Sequence, residues 1–205
     1  MDPLTDRKNW KELLSQELPG EQAQQLMAPR FRGSMQHLDE AAQAAVLALL
    51  FPGAKDTQLV FMKRNEYDGP HSAQVSFPGG AWETGDGPLE NTAIRETREE
   101  LGIVEEIEIL GKLTPLHIPV SNFMVYPFLG WMDHAPSFHP DPAEVQYVIV
   151  AGLKELLDPA NSSSEMIYRH QRHIEAPFYR VGEDKIWGAT AMMLSELLQL
   201  AGRLQ

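Results

Sequence analysis

The chain has 205 residues, 43% of them apolar and 22% charged, enough for one domain with a sizeable core and too few for two full ones. Its formal net charge of −12 argues against a binder of long nucleic acid, whose affinity rests on clustered Lys and Arg. An acidic protein can still act on a small phosphate when a divalent cation bridges the two. There is no cysteine, which excludes disulfides, a thiolate nucleophile and a cysteine zinc site and fits a reducing, cytoplasmic setting. The stretch from Met1 to Arg30 has no apolar signal-peptide core, and no later run reaches the roughly 18 apolar residues of a membrane span, so no membrane association is expected.

From Arg7 to Met27, the residues Trp10, Leu13, Leu14, Leu18, Ala23 and Leu26 recur near helical spacing and Pro19-Gly20 interrupts them, so two short helices are expected. Ala41 to Phe51 and Gln58 to Lys63 are small or apolar runs separated by Pro52-Gly53, the pattern of two strands joined by a turn. Gln74 to Phe77 reads as a strand ending in Pro78-Gly79-Gly80, followed by a loop through Thr84-Gly85-Asp86-Gly87. Pro88 suits a first helical position, and Leu89 to Leu101 runs without a breaker until Gly102 caps it. Strands follow at Glu106 to Leu113, Met124 to Trp131, Tyr147 to Val150 and Ile174 to Tyr179, with a short helix near Leu153 to Leu157 and a closing amphipathic helix from Ala189 to Leu204. Strands interleaved with few helices indicate an α/β or α+β sandwich. No GxGxxG opens a helix after a strand, which argues against a dinucleotide-binding unit. Residues 1–35 are expected to form a helical extension to a domain of residues 36–205.

The helix from Leu89 to Leu101 carries an unusual charge pattern. Glu96, Glu99 and Glu100 are three and four residues apart and so share a face. Like charges at that spacing cost roughly 0.2 to 0.5 kcal/mol per pair. Glu99 and Glu100 also lie in the last turn, where the helix dipole disfavours an anion by roughly 0.3 to 1 kcal/mol. A solvated acidic face relieved by Arg95 and Arg98 is one reading. A hard-cation site is the other, because carboxylate oxygens with retained waters are what Mg²⁺ prefers.

The surrounding residues favour the second reading. Phe77-Pro78-Gly79-Gly80, Asp86 and the run Arg95-Glu96-Thr97-Arg98-Glu99-Glu100-Leu101-Gly102-Ile103 resemble the Nudix box, with Thr97 in an apolar slot, Asp86 in the place of the first glutamate, and one extra residue before Arg95. Asp for Glu together with that extension resembles the coenzyme A pyrophosphatase branch. So do Arg64 thirteen residues before Phe77, the Gly111 to Leu116 stretch and Ile186 to Ala191. Gly69 and Ala73 stand where that branch has an arginine and a glycine.

The resemblance implies a Nudix-like α/β/α sandwich with a mixed central sheet, and Mg²⁺- or Mn²⁺-dependent hydrolysis of the pyrophosphate in a nucleoside diphosphate linked to a second group. Coenzyme A or a derivative heads the substrates, with ADP-ribose, NADH and nucleoside triphosphates as alternatives. It implies Glu99 and Glu100 as principal metal ligands and Glu96 as ligand or as the base aligning water. Gly79 and Gly80 would let backbone approach substrate and metal, since neither carries a Cβ. Arg64 could hold a substrate phosphate with its planar fork, Arg95 could orient Glu99 from the i,i+4 position, and Glu144 is the candidate for a further acid from a distant loop. Trp187 could stack on a base, or simply pack in the core. The histidines between Tyr168 and His173 are expected to be exposed strand residues rather than zinc ligands. Rival readings are a non-catalytic Nudix-fold nucleotide-binding module and a plain interaction protein. The N-terminal extension and the apolar final helix are candidate faces for a homodimer.

Overall fold

The computed structural model describes residues 2–29, 41–66, 73–169 and 172–204. In chain order these form helices α1 (Arg7–Leu14) and α2 (Gly20–Gln25), then strands β1 (Ala42–Pro52), β2 (Thr57–Arg64), β3 (Val75–Ser76) and β4 (Gly79–Ala81). Helix α3 (Leu89–Leu101) is followed by strands β5 (Glu108–Lys112), β6 (Leu116–Ile118), β7 (Phe123–Trp131) and β8 (Val145–Gly152). Helix α4 (Leu153–Leu157), strands β9 (Ser162–Arg169), β10 (Arg172–Val181) and β11 (Asp184–Trp187), and helix α5 (Gly188–Gly202) complete the fold.

The first eight strands make one mixed sheet with the spine β3-β2-β1-β7-β5, while β4 pairs with β1, β6 with β7 and β8 with β2. The pair β1–β7 is parallel, from Ala42 opposite Phe123 to Leu50 opposite Trp131; β1–β2, β1–β4 and β2–β8 are antiparallel. Strand β1 is apolar without alternation because both of its faces are buried. Ala44, Ala48 and Leu50 enter one core, and Ala45, Leu47, Leu49 and Phe51 enter the other. Strand β2 divides the same way, Leu59 and Phe61 against Val60 and Met62. Helix α3 closes the second core with Ala93 and Leu101, and α5 closes the first with Leu194, Leu197 and Leu200. The result is an α/β/α sandwich with a mixed central sheet, as the resemblance implies.

Two expectations need correction. Helix α5 is not amphipathic: Leu194, Leu197, Leu200 and Ala201 are buried, and so are its polar residues Thr190, Ser195 and Glu196. Its polar side chains meet partners distant in sequence. Ser195 Oγ donates to Ala23 O at 2.8 Å. Glu196 accepts from Gln24 Nε2 at 2.9 Å, Gly20 N at 3.2 Å and Thr114 Oγ1 at 2.7 Å, so α2 is clamped to α5. Strands β4 and β6, three residues each, were not foreseen, and neither was the start of β9, which opens with three serines. The expected domain boundary between residues 35 and 36 lies outside the described residues. Leu4 and Trp10 nevertheless join the same core as α5, with Trp10 Nε1 donating to Leu4 O at 2.9 Å. Among the described residues no helix is long and apolar enough to cross a membrane.

Candidate active site

Helix α3 is fixed at both ends. Pro88 precedes it in extended conformation, as the N-cap rather than the first helical residue, and Gly102 ends it at φ 65°, its N–H donating to Arg98 O at 2.9 Å. Thr97 behaves as an apolar residue. It is fully buried and its hydroxyl is satisfied by Ala93 O at 2.7 Å. The last carbonyls of the helix, which have no partner within it, accept from a returning loop: His139 N to Leu101 O at 2.8 Å and Asp141 N to Glu100 O at 3.0 Å. The loop passes so close that a Cβ on Gly102 would lie 2.1 Å from His139 O. It delivers Glu144, whose N–H donates to Asp141 O at 3.1 Å and whose carbonyl accepts from Asn65 N at 3.0 Å. Asn65 also donates from Nδ2 to Pro142 O at 2.8 Å. Its part in placing Glu144 had no signal in the sequence beyond its adjacency to Arg64.

The three glutamates of α3 have different surroundings. Glu100 points inward, its side chain 2% exposed. Its Oε2 accepts from Gly79 N at 2.7 Å, and its Oε1 accepts from Arg64 Nη1 at 3.2 Å and Nη2 at 3.1 Å. Burial pushes its carboxyl up to about 8 against the pull of Arg64 and the Gly79 N–H, and the charges of Glu96 and Glu144 push the same way. Glu96 is 16% exposed and pairs with Arg95 Nη1 at 2.9 Å. It lies against Gly80, where a Cβ would be 2.5 Å from its carboxylate carbon. Burial raises its carboxyl too, opposed by Arg95 and assisted by Glu99 and Glu144. Glu99 is 60% exposed, held at the rim by Arg95 Nη1 at 2.8 Å, the expected i,i+4 pair.

Arg95 is in turn oriented by Asp86, which accepts from its Nε at 2.7 Å and its Nη2 at 3.1 Å. Asp86 also accepts from Thr92 Oγ1 at 2.8 Å and Glu83 N at 3.0 Å. Hydrogen bonds from the Arg95 guanidinium hold the Asp86 carboxyl well below the usual carboxylate range, and the same pairing raises Arg95. In the place of the first glutamate of the box, then, this aspartate ties the loop before α3 to the helix and aims the arginine that touches two of the three glutamates.

Arg64 ends β2 where the pairing with β8 slips between Lys63 and Arg64, an irregularity of the kind that re-aims a side chain. It lines a cavity of about 590 Å³ together with Asn65, Glu66, Ala143, Glu144 and Gln146. The structure thus brings Arg64, Gly79, Gly80, Glu96, Glu100 and Glu144 together, leaves Glu99 at the edge, and places Asp86 and Arg95 behind them. The acidic donors are all oxygens, which suits a hard divalent cation that keeps some of its waters. The mutual repulsion acting on Glu96 and Glu100 is what such a cation would relieve. Among the described residues no three acidic or histidine side chains already converge as a cage; Arg64 and Arg95 hold the glutamates on separate partners.

The remaining motif residues are also placed. Ala73 has φ 54°, the left-handed conformation that favours glycine, so the backbone shape persists where the resembled branch has a glycine. Gly69 lies outside the described residues. Trp187 is half-buried at the end of β11, against the start of α5. Tyr168 and His173 face each other across β9 and β10 with ring centroids 5.2 Å apart, both exposed, and residues 170 and 171 between them lie outside the description.

The model of the NUDIX domain matches residues 41–171 of the chain. A Nudix hydrolase of Photorhabdus laumondii, described as uncharacterized, is 32% identical over 162 residues, 78% of this chain and 86% of that one. A mitochondrial coenzyme A diphosphatase of Homo sapiens is 34% identical over 164 residues, 78% of this chain and 69% of that one. Among solved structures, a MutT/nudix family protein from Enterococcus faecalis superposes with a TM-score of 0.53 at 17% identity, covering 83% of this chain and 66% of its own. With the box residues gathered on α3 and the preceding glycine loop, and with a family match across more than half its length, the chain belongs to the Nudix hydrolase family.

Proposed function

We propose that this Nudix hydrolase cuts the pyrophosphate of coenzyme A or a close derivative, with Glu96, Glu99 and Glu100 holding Mg²⁺ or Mn²⁺. The observation that carries the reading is the pair Glu96 and Glu100, raised by burial and set against Gly79 and Gly80 beside a cavity that Arg64 lines. Two features favour coenzyme A over other nucleotides: the Arg64 to Phe77 spacing with a left-handed residue at Ala73, and the relative described as a coenzyme A diphosphatase. A bound divalent ion supplies charge to the phosphoryl oxygens and acidity to a coordinated water.

The protein's own groups do the rest. Water attacks one phosphorus, the bond from that phosphorus to the bridging oxygen breaks, and the two phosphorylated halves separate without a covalent enzyme intermediate. Glu96 serves as ligand or as acceptor of the water's proton. Glu144, which lines the same cavity as Arg64, is the further acid, and Arg64 takes a phosphoryl oxygen with its planar fork.

The test is a substrate panel of coenzyme A, ADP-ribose, NADH and nucleoside triphosphates with Mg²⁺ or Mn²⁺, followed by chromatography. Coenzyme A turned over at least about tenfold more efficiently than the others in kcat/KM supports the reading, a margin of about 1.4 kcal/mol in transition-state binding. Preference for another member keeps the chemistry and overturns the substrate. Silence across the panel favours the non-catalytic nucleotide-binding module.

A further inference from the structure

Arg64 occupies Oε1 of Glu100, one of the two oxygens through which that carboxylate could hold a cation. Both contacts of its guanidinium fall on Oε1 of that carboxylate, at 3.2 and 3.1 Å, while Oε2 is taken by Gly79 N–H at 2.7 Å. Oε2 faces the buried Gly79 N–H and Oε1 the part-buried side, so a cation that binds Glu100 through Oε1 meets Arg64 first. Gly79 cannot yield. It sits in β4 opposite Val46 of β1, and its backbone is so close to that strand that a Cβ would lie 2.3 Å from Ala45 O. The preceding carbonyl, Pro78 O, is fixed by Leu47 N at 2.9 Å. Arg64 is a long side chain at a strand end, 22% exposed, beside open space of about 590 Å³.

We propose that Arg64 is a displaceable partner of the Glu100 carboxyl: it holds Oε1 until a cation binds there, and then swings into the cavity, where its fork is free to grip the pyrophosphate. The proposal rests on the reading of Glu96 and Glu100 as a divalent-cation site, and adds an order to it, cation first and phosphate second. The same guanidinium cannot serve both partners well, because a divalent ion held by Oε1 and a guanidinium donating to that same oxygen would be close like charges. The released side chain is not left bare, since Glu66 and Glu144 line the space it enters. Anionic phosphate then finds a cation and an arginine that no longer compete for one carboxylate.

The test is calorimetric titration of the protein with Mg²⁺ alone, at about pH 9 so that carboxyl protonation does not intervene, followed by inorganic pyrophosphate at saturating Mg²⁺. Arg64→Gln, which keeps a donor but loses the charge, is expected to bind Mg²⁺ about tenfold more tightly than wild type and pyrophosphate about tenfold more weakly. Arg64→Lys, which keeps the charge, is expected to stay within about threefold of wild type for Mg²⁺. Unchanged or weaker Mg²⁺ binding by Arg64→Gln overturns the proposal. A second readout uses only the native sequence: the Arg64 Nε–H resonance, assigned by its loss in Arg64→Lys, should shift as Mg²⁺ saturates, and a resonance that stays put overturns the displacement. Absence of Mg²⁺ binding in wild type and both variants overturns the cation site itself, whereas binding that appears only in Arg64→Gln supports the displaceable partner.

Discussion

Gly80→Ala separates folding from chemistry in this site. Gly80 is not among the residues with positive φ, so alanine fits the backbone there. The three atoms that a new Cβ would meet all belong to the Glu96 carboxylate, at 2.5, 2.5 and 2.8 Å. The carboxylate must retreat by about 1 Å to reach ordinary contact, and a displacement of that size in a reacting group lowers turnover by about a hundredfold. The fold loses little, because the colliding group is the free end of a side chain. A melting temperature within about 4 °C of wild type is expected, equivalent to about 1 kcal/mol in a chain of this size. Gly79→Ala is the contrasting case. Its φ is 148° and the new Cβ would lie 2.3 Å from Ala45 O, a backbone clash that should cost about 3 kcal/mol or more. Turnover with Mg²⁺ and thermal melting of both variants decide the matter. Wild-type turnover in Gly80→Ala, or melting as damaged as in Gly79→Ala, would refute the placement of Glu96.

Three further outcomes follow from the geometry. In the metal-free protein the Glu100 carboxyl is raised from 4.5 to about 8, so between those values the native state holds a proton that the unfolded state has lost. Stability should fall as pH rises through that window, by up to about 1.4 kcal/mol per unit, and Glu100→Gln should flatten the slope; denaturant melts from pH 5 to 8 measure it, and a rising curve in wild type would contradict the burial of this carboxylate. Ala73→Gly relieves a left-handed backbone at φ 54° and should stabilise the protein by about 0.5 to 1 kcal/mol after the entropy of glycine is subtracted, read from the shift in denaturation midpoint. Asp86→Asn removes the charge that orients Arg95; kcat/KM should drop about tenfold or more, and the drop should persist at saturating Mg²⁺ if the effect is on geometry rather than on cation affinity.

Helix α3 was legible from Leu89 to Leu101 because its limits are set locally, by Pro88 before it and Gly102 after it. Strand β1 was legible for a similar reason: a strand buried on both faces needs no partner to show its pattern. Helix α5 was misread because Ser195 and Glu196 look like a polar face. Their partners, Ala23, Gln24, Gly20 and Thr114, are 82 to 176 residues away, and nothing in the spacing announces them. The site shows the same division. The spacing put Glu96, Glu99 and Glu100 on one face, but which of them turns inward depends on how the helix lies on the sheet: Glu100 is buried, Glu96 half-buried, and Glu99 outside at 60% exposure. Arg64 was expected to meet substrate, and its hold on Glu100 depends on the slip in pairing at the end of β2. Glu144 reaches the site through the 139–141 loop, whose close passage over Gly102 is a tertiary event.

The most direct measurement compares wild type and Glu96→Gln on coenzyme A with saturating Mg²⁺, following both halves of the cleaved pyrophosphate by chromatography. Wild type should release the two phosphorylated halves in equal amounts, and Glu96→Gln should do so at least about a hundredfold more slowly with its melting temperature preserved. Equal rates in the two proteins would mean that the Glu96 carboxylate beside Gly80 does not take part in the chemistry.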